Sequence, residues 1–261
     1  MDELAVYNRE RWNALVGAGV QYAQPWLDLT PELARQRLDK YGWLGAVASK
    51  DVLCLANGGG QQSAAFAMLG AYTTVFDLSD AQLDKDRLAA AQLGLSIRIE
   101  QGDMRDLSRF ADNAFDWVWQ AYSINFVPDP ERVFEEVRRV LRTGGRYTLD
   151  FSNPHRFSIP KDTWVPEVGY GLALPYRNGE INGDNNMWDV EQPDGTWIKV
   201  LGPREFNHTW SKLVNALAER NFMIQHCSEW MRDDPNPEVG SWIHYTQIMP
   251  PYISYWMRLL E

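Results

Sequence analysis

Short apolar runs alternate with amphipathic stretches along residues 51–151 of the chain. The amphipathic stretches repeat apolar residues every three or four positions, which predicts helices. The apolar runs are bounded by Gly, Asp or Ser, which is typical of buried strands. They read VLCLA, TTVFDLS, LSIRIEQGD, FDWVWQA and RYTLDF. Strands that alternate with helices predict right-handed crossovers and an α/β, Rossmann-like, doubly wound sheet.

Residues with capping preferences mark the ends of two helices. Ser79 and Gln82 predict a capping box at the start of a helix that Gly94 ends. Asp129 and Pro130 predict the N-cap and first turn of another. In such sheets ligands bind beyond the carboxyl ends of the strands, so the residues of a binding site are expected there.

The pattern changes on both sides of this region. Residues 1–50 contain two helical segments, the second capped by Thr30 and Pro31, and we interpret them as an N-terminal helical lid. The main domain spans residues 51–261. An inserted cap is predicted at about 154–203, because Pro, Gly and Asn recur there every few residues, with a hairpin at MWDVEQPDGTWIKV.

The C-terminal part completes the predicted sheet. The segment FNHTWSKLVNALAERNF predicts a helix, and FMIQHCSEW and WIHYTQIM predict two last strands. The sheet is therefore expected to have seven strands.

Composition and charge narrow the possible partners. A net charge of −10 would repel a nucleic-acid backbone, so no nucleic acid is expected as a partner. Cys54 and Cys227 are too few for a disulfide framework, and no metal-ligand spacing is present, so we expect a cytoplasmic protein without a metal. Neither a signal peptide nor an apolar run of about 18 residues is visible, so no membrane contact is expected.

Three consecutive glycines follow the first predicted strand. Gly58, Gly59 and Gly60 suit a strand-to-helix turn against which a ligand lies closely. Asp77 ends the second strand, where a carboxylate can accept both hydroxyls of a ribose, and Asp103 ends the third. This arrangement predicts a ligand with a nucleoside part.

The order of these motifs resembles that of class I S-adenosylmethionine-dependent methyltransferases, in particular small-molecule enzymes of the type 11 kind. The matching motifs are VLCLANGGG, VFDLS, EQGDM, FDWVWQAYSINFVPD and VRRVLRTGGRYTLDF, within about residues 51–151. The resemblance implies S-adenosylmethionine as cofactor and S-adenosylhomocysteine as product. It also implies a mixed sheet whose last strand is antiparallel.

The resemblance assigns the methionine and ribose contacts residue by residue. It places Asn57, Gly58 and Gly60 against the methionine part and the sulfonium. It places Asp77 on the ribose and Gln120 near the transferring methyl group.

The resemblance assigns the adenine contacts as well. Asp103 would accept from the adenine amino group beside the backbone amide of Met104. The complete predicted cofactor set is Asn57, Gly58, Gly59, Gly60, Gln61, Asp77, Leu78, Asp103, Met104 and Gln120.

The first motif departs from the family at two positions. Cys54 stands where the family has Asp or Glu, and Ala56 stands where it has glycine. The acidic side chain that orders the glycine loop is therefore missing, and Gln61 or Gln62 is a candidate replacement. Cys54 itself is expected to be a small buried hydrophobic residue.

Two other kinds of ligand were considered for the glycine turn. A dinucleotide fingerprint on Gly58 and Gly60 needs a glycine or alanine at Ser63 and leaves Asp103 without a role. A phosphate loop would end in GK[ST], which is absent. A nicotinamide-dependent oxidoreductase and an S-adenosylmethionine-binding protein without transferase activity remain alternatives.

Methyl transfer requires little more than alignment, although a hydroxyl or amine acceptor needs a base. We considered His155, which follows the fifth strand, and His208, which opens the late helix, as that base. Tyr122 and Asn125 follow the fourth strand, where acceptor groups bind in this fold. That segment reads QAYSINF and lacks the [DNS]PP[YFW] motif, which together with the acidic charge favours a small-molecule acceptor over DNA or RNA. Methylation of an oxygen or nitrogen atom is expected rather than that of a carbon atom.

Aromatic residues are frequent in the predicted lid and cap. Rings in these segments could enclose a flat, partly aromatic acceptor. They are Tyr7, Trp12, Tyr22 and Trp26 in the first segment, and Trp164, Tyr170, Tyr176, Trp188 and Trp197 in the insertion.

Overall fold

A computed structural model describes residues 1–181 and 183–261 and has a seven-stranded sheet at its centre. The strands in chain order are β1 Asp51–Leu55, β2 Tyr72–Asp77, β3 Ile97–Gln101, β4 Phe115–Gln120, β5 Leu141–Ser152, β6 Phe222–Trp230 and β7 Tyr252–Leu259. Across the sheet they follow the order β6-β7-β5-β4-β1-β2-β3. The first five strands pair in parallel, and β7 is antiparallel to both of its neighbours. The predicted mixed sheet is confirmed.

The helices lie on both faces of this sheet. They are α1 Glu3–Gly17, α2 Pro31–Leu38, α3 Gln62–Met68, α4 Asp80–Leu93, α5 Pro130–Val140, α6 Trp210–Ala218 and α7 Trp242–Ile248. Short 3-10 turns occur at Gln21–Ala23, Ile124–Phe126, Lys161–Thr163 and Gly183–Asn185. In the described part of the chain, no helix is both long and apolar enough to cross a membrane.

Two hydrophobic cores cover the sheet. Helices α5 and α6 pack on one face, where Phe134 and Tyr147 are fully buried. Helices α2, α3 and α4 pack on the other face, which includes Cys54. Burial raises the pKa of the Cys54 thiol well above its usual value, so Cys54 is the small buried hydrophobic residue expected from the sequence.

The helix ends follow the capping residues of the sequence. The Ser79 hydroxyl accepts the Gln82 amide (3.1 Å), and Gly94 ends α4 with a φ of 65°. The Thr30 hydroxyl caps α2. The Asp129 side chain forms no cap hydrogen bond, so Pro130 is the main signal for the start of α5.

One prediction near the C-terminus is wrong. Residues 242–249, expected to be a strand, form helix α7 up to Ile248, and the last strand begins at Tyr252. Tyr245 and Met249 are both buried, which is a helical spacing, and the Ser241 hydroxyl caps the helix (3.2 Å to the amide of residue 244). Two consecutive prolines then separate this helix from β7.

The inserted segment leaves the sheet after β5 and precedes helix α6. The expected hairpin is present, as Met187–Glu191 pairs antiparallel with Trp197–Leu201. Two further antiparallel ribbons are formed by Trp164–Val165 with Gly169–Tyr170 and by Gly179–Glu180 with Phe206–Asn207.

Asn125 fixes both ends of the insertion. Its side-chain oxygen accepts the Ser152 amide (2.9 Å), and its side-chain nitrogen donates to the Phe206 carbonyl (2.9 Å). Asn125 was expected near the acceptor, but it is buried and does not line the cavity described below.

Candidate functional site

A cavity of about 1750 Å³ opens beyond the carboxyl ends of the central strands. Typical single-ligand sites occupy about 300–1,000 Å³, so this volume suits two ligands. We call one part the glycine side, lined by Asn57, Gly58, Asp77, Gln82 and Asp103. We call the other part the arginine side, lined by Tyr122, Asp150, Arg156, Glu205 and Tyr252.

Asp77 connects the glycine turn to the end of β2. Its Oδ2 accepts the Gly58 amide (2.9 Å), and its Oδ1 accepts the Ser79 amide (2.8 Å). Burial raises the pKa of Asp77, and the N–H groups of Ser79 and Gly58 counteract the rise. Each carboxylate oxygen has a second lone pair, so Asp77 can still accept a pair of ligand hydroxyls.

The acid missing from β1 is replaced by Asp86 of α4. The Gly59 amide donates to its Oδ2 (3.0 Å), and the Ser63 hydroxyl donates to its Oδ1. Burial raises the pKa of Asp86 to about 7, although both of these hydrogen bonds oppose the rise. Asp86 thus holds the glycine loop from the helix instead of from the strand.

Gln61 does not have the loop-ordering role considered for it. Its side-chain nitrogen donates to the Gln24 carbonyl (2.9 Å) in the N-terminal segment. Gln62 lines the cavity. Sequence reasoning missed Asp86, although one signal was available, because Asp86 lies between Leu83 and Ala89 on the buried face of α4.

The glycines are required chiefly by helix α4. A Cβ atom at Gly60 would lie 2.6 Å from the Lys85 carbonyl oxygen, and one at Gly58 would lie 2.6 Å from the Gln82 Cβ. Gly60 has a φ of 70°. Gly58 lines the cavity, whereas Gly59 and Gly60 do not. The close approach predicted at these glycines is therefore made largely by the protein itself.

Two buried polar atoms on the glycine side have no hydrogen-bond partner among the described residues. They are the side-chain nitrogen of Asn57 and the side-chain oxygen of Gln82. Both residues line the cavity. A buried donor and a buried acceptor without partners are costly, so the glycine side suits a polar ligand that satisfies both.

Arg105 connects Asp103 to the N-terminus of α1. Its Nε and Nη2 donate to Asp103 (3.0 and 2.6 Å), and its Nη1 and Nη2 donate to Asp2 (2.8 Å each). The hydrogen bond from Arg105 and the amide of Ala5 lower the pKa of Asp2 to about 2. The adjacent Met104 lines the cavity.

We expect Arg105→Gln to loosen α1 selectively, because the variant removes the ion pairs that attach its N-cap to the sheet. The amide hydrogens of α1 should exchange about tenfold faster, with little change in the sheet. Hydrogen–deuterium exchange measured by mass spectrometry tests this. Arg98→Gln removes an exposed ion pair to Glu100 and is the matched control. Equal exchange in α1 for both variants would contradict the prediction.

Helix α1 also contacts both sides of the cavity. The Ser79 hydroxyl donates to the Asn13 side-chain oxygen (2.6 Å). Further along, the Asn8 side chain donates to the Phe126 carbonyl (3.0 Å) and accepts the Arg204 amide (2.9 Å). Helix α1 therefore covers the cavity along its length.

Some of the predicted aromatic residues line this cavity. Trp12 contacts Trp188 edge-on, with ring centroids 5.5 Å apart, and Tyr22 and Trp197 also line it. The remaining aromatic candidates do not line the cavity: Tyr7, Trp26, Trp164, Tyr170 and Tyr176.

The arginine side contains two carboxyl groups that sequence reasoning missed, the buried Glu205 and the half-buried Asp150. Tyr122 OH donates to Glu205 and lies 3.0 Å from the Ser152 hydroxyl. Asp150 of β5 accepts the Ser254 hydroxyl. Burial raises the pKa of Asp150 to about 6 and also raises that of Glu205. Acids at these positions give no local signal in the sequence.

The two candidate histidines lie outside the cavity. His155 is exposed and stacks on Tyr176, with ring centroids 4.5 Å apart. His208 is buried with its Nε2 3.2 Å from the Ile124 carbonyl oxygen, and burial lowers its pKa to about 4. His208 is therefore neutral at pH 7.

Gln120 is also outside the cavity. Its side-chain oxygen accepts the Tyr147 hydroxyl (2.5 Å). Its side-chain nitrogen donates to the Ser123 hydroxyl (3.0 Å) and lies 3.2 Å from the Met104 sulfur. Gln120 thus contacts two residues that line the cavity, Ser123 and Met104. Of the other predicted cofactor residues, Asn57, Gly58, Gln61, Asp77, Leu78, Asp103 and Met104 line the cavity.

The sequence matches known proteins across this region. A family model described as a methyltransferase domain matches residues 53–149. The uncharacterized methyltransferase YbaJ of Bacillus subtilis is 41% identical over 185 residues, which cover 70% of this chain and 69% of the relative. The demethylmenaquinone methyltransferase of Clavibacter sepedonicus is 36% identical over 172 residues, which cover 62% of this chain and 69% of the relative.

The fold also matches solved structures. An S-adenosylmethionine-dependent methyltransferase from Mesorhizobium loti superimposes with a TM-score of 0.66 at 20% identity, over 89% of this chain and all of the other. A geranyl diphosphate C-methyltransferase from Streptomyces coelicolor, solved with S-adenosylhomocysteine, has a TM-score of 0.57 at 17% identity, over 88% of this chain and 76% of the other. At these identities the likeness concerns the fold.

Proposed function

Because this chain belongs to the class I S-adenosylmethionine-dependent methyltransferases, we propose that it methylates an oxygen or nitrogen atom of a small molecule. The cofactor occupies the glycine side in this proposal, and the acceptor occupies the arginine side. The observation that carries it is the continuity of the cavity, which joins the unpartnered Asn57 and Gln82 groups to Tyr122 and Glu205.

The glycine side suits the polar parts of S-adenosylmethionine. Asp77 has lone pairs left for the ribose hydroxyls. Asn57 can donate to the methionine carboxylate, and Gln82 can accept from a cofactor donor. Asp103 already accepts the backbone amide and the guanidinium of Arg105 at both oxygens, so the adenine amino group would share these oxygens with Arg105.

When bound, S-adenosylmethionine supplies an electrophilic methyl group. The chain aligns the acceptor, excludes water with α1 and the insertion, and takes up the acceptor's proton where one is released. We assign that last role to Asp150, because its carboxyl lines the cavity and its pKa of about 6 leaves it ionised at neutral pH. The histidines outside the cavity are unsuited to it.

The cofactor assignment is tested by isothermal titration calorimetry. We expect S-adenosylhomocysteine to bind with a dissociation constant in the micromolar range, about −8 kcal/mol, and NAD not to bind. The reverse result would favour the oxidoreductase alternative. Transfer of labelled methyl groups from S-adenosylmethionine into a metabolite extract tests catalysis. Binding without transfer would indicate a protein that only binds the cofactor.

A further inference from the structure

We propose that the arginine side recognises a carboxylate on an aromatic acceptor, through the guanidinium of Arg156. This inference rests on the proposed function, because it names the class of molecule that the same cavity methylates. Arg156 follows β5 and lines the cavity beside Tyr252.

The guanidinium of Arg156 is enclosed by rings. Its central carbon lies 5.1 Å from the Tyr252 ring centroid, 5.3 Å from that of Phe157 and 6.0 Å from that of Trp242. These rings cover part of the guanidinium, and Arg156 is half-buried in the cavity wall.

Arg156 has few polar partners for a charge in this position. Its Nη1 donates to the Ser152 hydroxyl (3.1 Å). Among the described residues, no carboxylate oxygen lies within 4.0 Å of its nitrogens. A guanidinium has five N–H donors in a planar fork, so most of them remain for a ligand in the cavity.

Two carboxyl groups lie nearby and form their hydrogen bonds elsewhere, although the charge of Arg156 opposes the rise that burial causes in the pKa of Glu205. Glu205 accepts from Tyr122, and Asp150 accepts from Ser254. Hydrogen bonds join Glu205, Tyr122, Ser152 and Arg156 in this order. They hold the Nη1 atom of the Arg156 guanidinium. The other side of the fork can take both oxygens of one carboxylate in parallel.

The charges in the cavity wall favour a carboxylate over a phosphate. A phosphate monoester carries a charge of about −1.5 to −2 at neutral pH. One guanidinium offsets only part of that charge, and Asp150 in the same wall would repel a phosphate more strongly than a carboxylate. A carboxylate carries a single charge that Arg156 can neutralise.

The rings around Arg156 also indicate the body of the acceptor. Tyr252 contacts both Tyr122 and Trp230 edge-on, with ring centroids 5.2 and 5.8 Å away. Trp230 and Trp242 line the same part of the cavity. Such walls suit a flat aromatic body next to the carboxylate.

Calorimetric titration of benzoate, benzamide and phenyl phosphate tests this proposal, in the presence and absence of S-adenosylhomocysteine. Benzamide has nearly the shape of benzoate without its charge. We expect the protein to bind benzoate at least about tenfold more tightly than benzamide, and more tightly than phenyl phosphate. Arg156→Gln should remove the preference for benzoate and leave the affinity for S-adenosylhomocysteine unchanged. Arg156→Lys, which keeps the charge without the fork, should retain part of the preference.

Arg138→Gln is the matched control, because Arg138 is exposed on α5 beside Glu135, away from the cavity, and should keep the full preference. Equal binding of benzoate and benzamide by the unaltered protein would overturn the proposal, as would an undiminished preference in Arg156→Gln. Tighter binding of phenyl phosphate would overturn the assignment to a carboxylate. Absence of S-adenosylhomocysteine binding would instead contradict the proposed function. The titrations of benzoate and benzamide in the absence of S-adenosylhomocysteine would still test carboxylate binding by Arg156.

Discussion

Asp77→Asn is expected to weaken S-adenosylhomocysteine binding by about a hundredfold, equivalent to about 2.7 kcal/mol. The Asp77 carboxylate accepts the amides of Gly58 and Ser79 with different oxygens. An amide has one oxygen, so its NH₂ group would face one of these N–H donors and leave it unpaired, at a cost of about 1–3 kcal/mol. The variant also loses an acceptor for the ribose hydroxyls. Calorimetric titration measures the change.

Asp80→Asn is the control for this experiment. Asp80 lies in the exposed first turn of α4, three positions beyond Asp77, and does not line the cavity. Its variant should bind the ligand normally, and both variants should keep the far-ultraviolet circular dichroism of the unaltered protein. Equal affinities for the two variants would remove Asp77 from the binding site.

Asp86→Ala is expected to lower the free energy of unfolding by about 2–4 kcal/mol. The substitution leaves the Gly59 amide without its side-chain acceptor and the Ser63 hydroxyl without a partner, and it opens a small cavity beneath the glycine loop. Because the loop then loses its fixed shape, S-adenosylhomocysteine should also bind about tenfold more weakly. Urea denaturation and calorimetry measure the two effects.

The charge of Asp86 adds a pH dependence to this prediction. The folded-state pKa of about 7 exceeds the ordinary carboxyl pKa of 3.8, so the folded protein holds an extra proton between these pH values. The contribution of Asp86 to stability is therefore complete below about pH 4 and is lost as the pH rises through 7. Asp86→Asn imitates the protonated form. The free energy of unfolding of the unaltered protein should fall relative to this variant between pH 4 and pH 7.

Asp84→Asn, on the exposed face of the same helix, is the matched control for both measurements. It should follow the unaltered protein at every pH. If the difference between the unaltered protein and Asp86→Asn stayed constant with pH, Asp86 would be shown to titrate outside this range.

The sequence was sufficient for the parts of the fold that depend on local pattern. Strand β1 is a continuous apolar run ended by glycine, and the Ser79 cap fixes the start of α4. Parallel strands bring their carboxyl ends to one edge, so the approach of Asp77 to Gly58 could be predicted. Residues 242–249 were mistaken for a strand, because a short apolar segment fits both the helical repeat and the strand repeat. The burial of Tyr245 and Met249 on one face of a helix depends on tertiary contacts.

Apart from Tyr122, the arginine side could not be predicted, because distant segments of the chain form it. Arg156 follows β5, Glu205 ends the insertion, and Tyr252 begins β7. None of the three lies in a motif with fixed spacing. The histidines were considered for their ordinary pKa, but His208 is buried away from the cavity and His155 stacks on the surface. Of the three residues predicted for catalysis, Tyr122 lines the cavity, and the two histidines lie outside it.

The two hydrogen bonds of Asn125 have a consequence for the entropy of the chain. They connect Ser152 to Phe206, so the long insertion is closed at its base by a side chain that belongs to the sheet. Closure of a flexible loop costs only about 0.6 kcal/mol more for each doubling of its length. The part of the insertion that does not line the cavity can therefore change in length at little entropic cost. Asn125 keeps the base of the insertion, and with it Arg156 and Glu205, attached to the sheet.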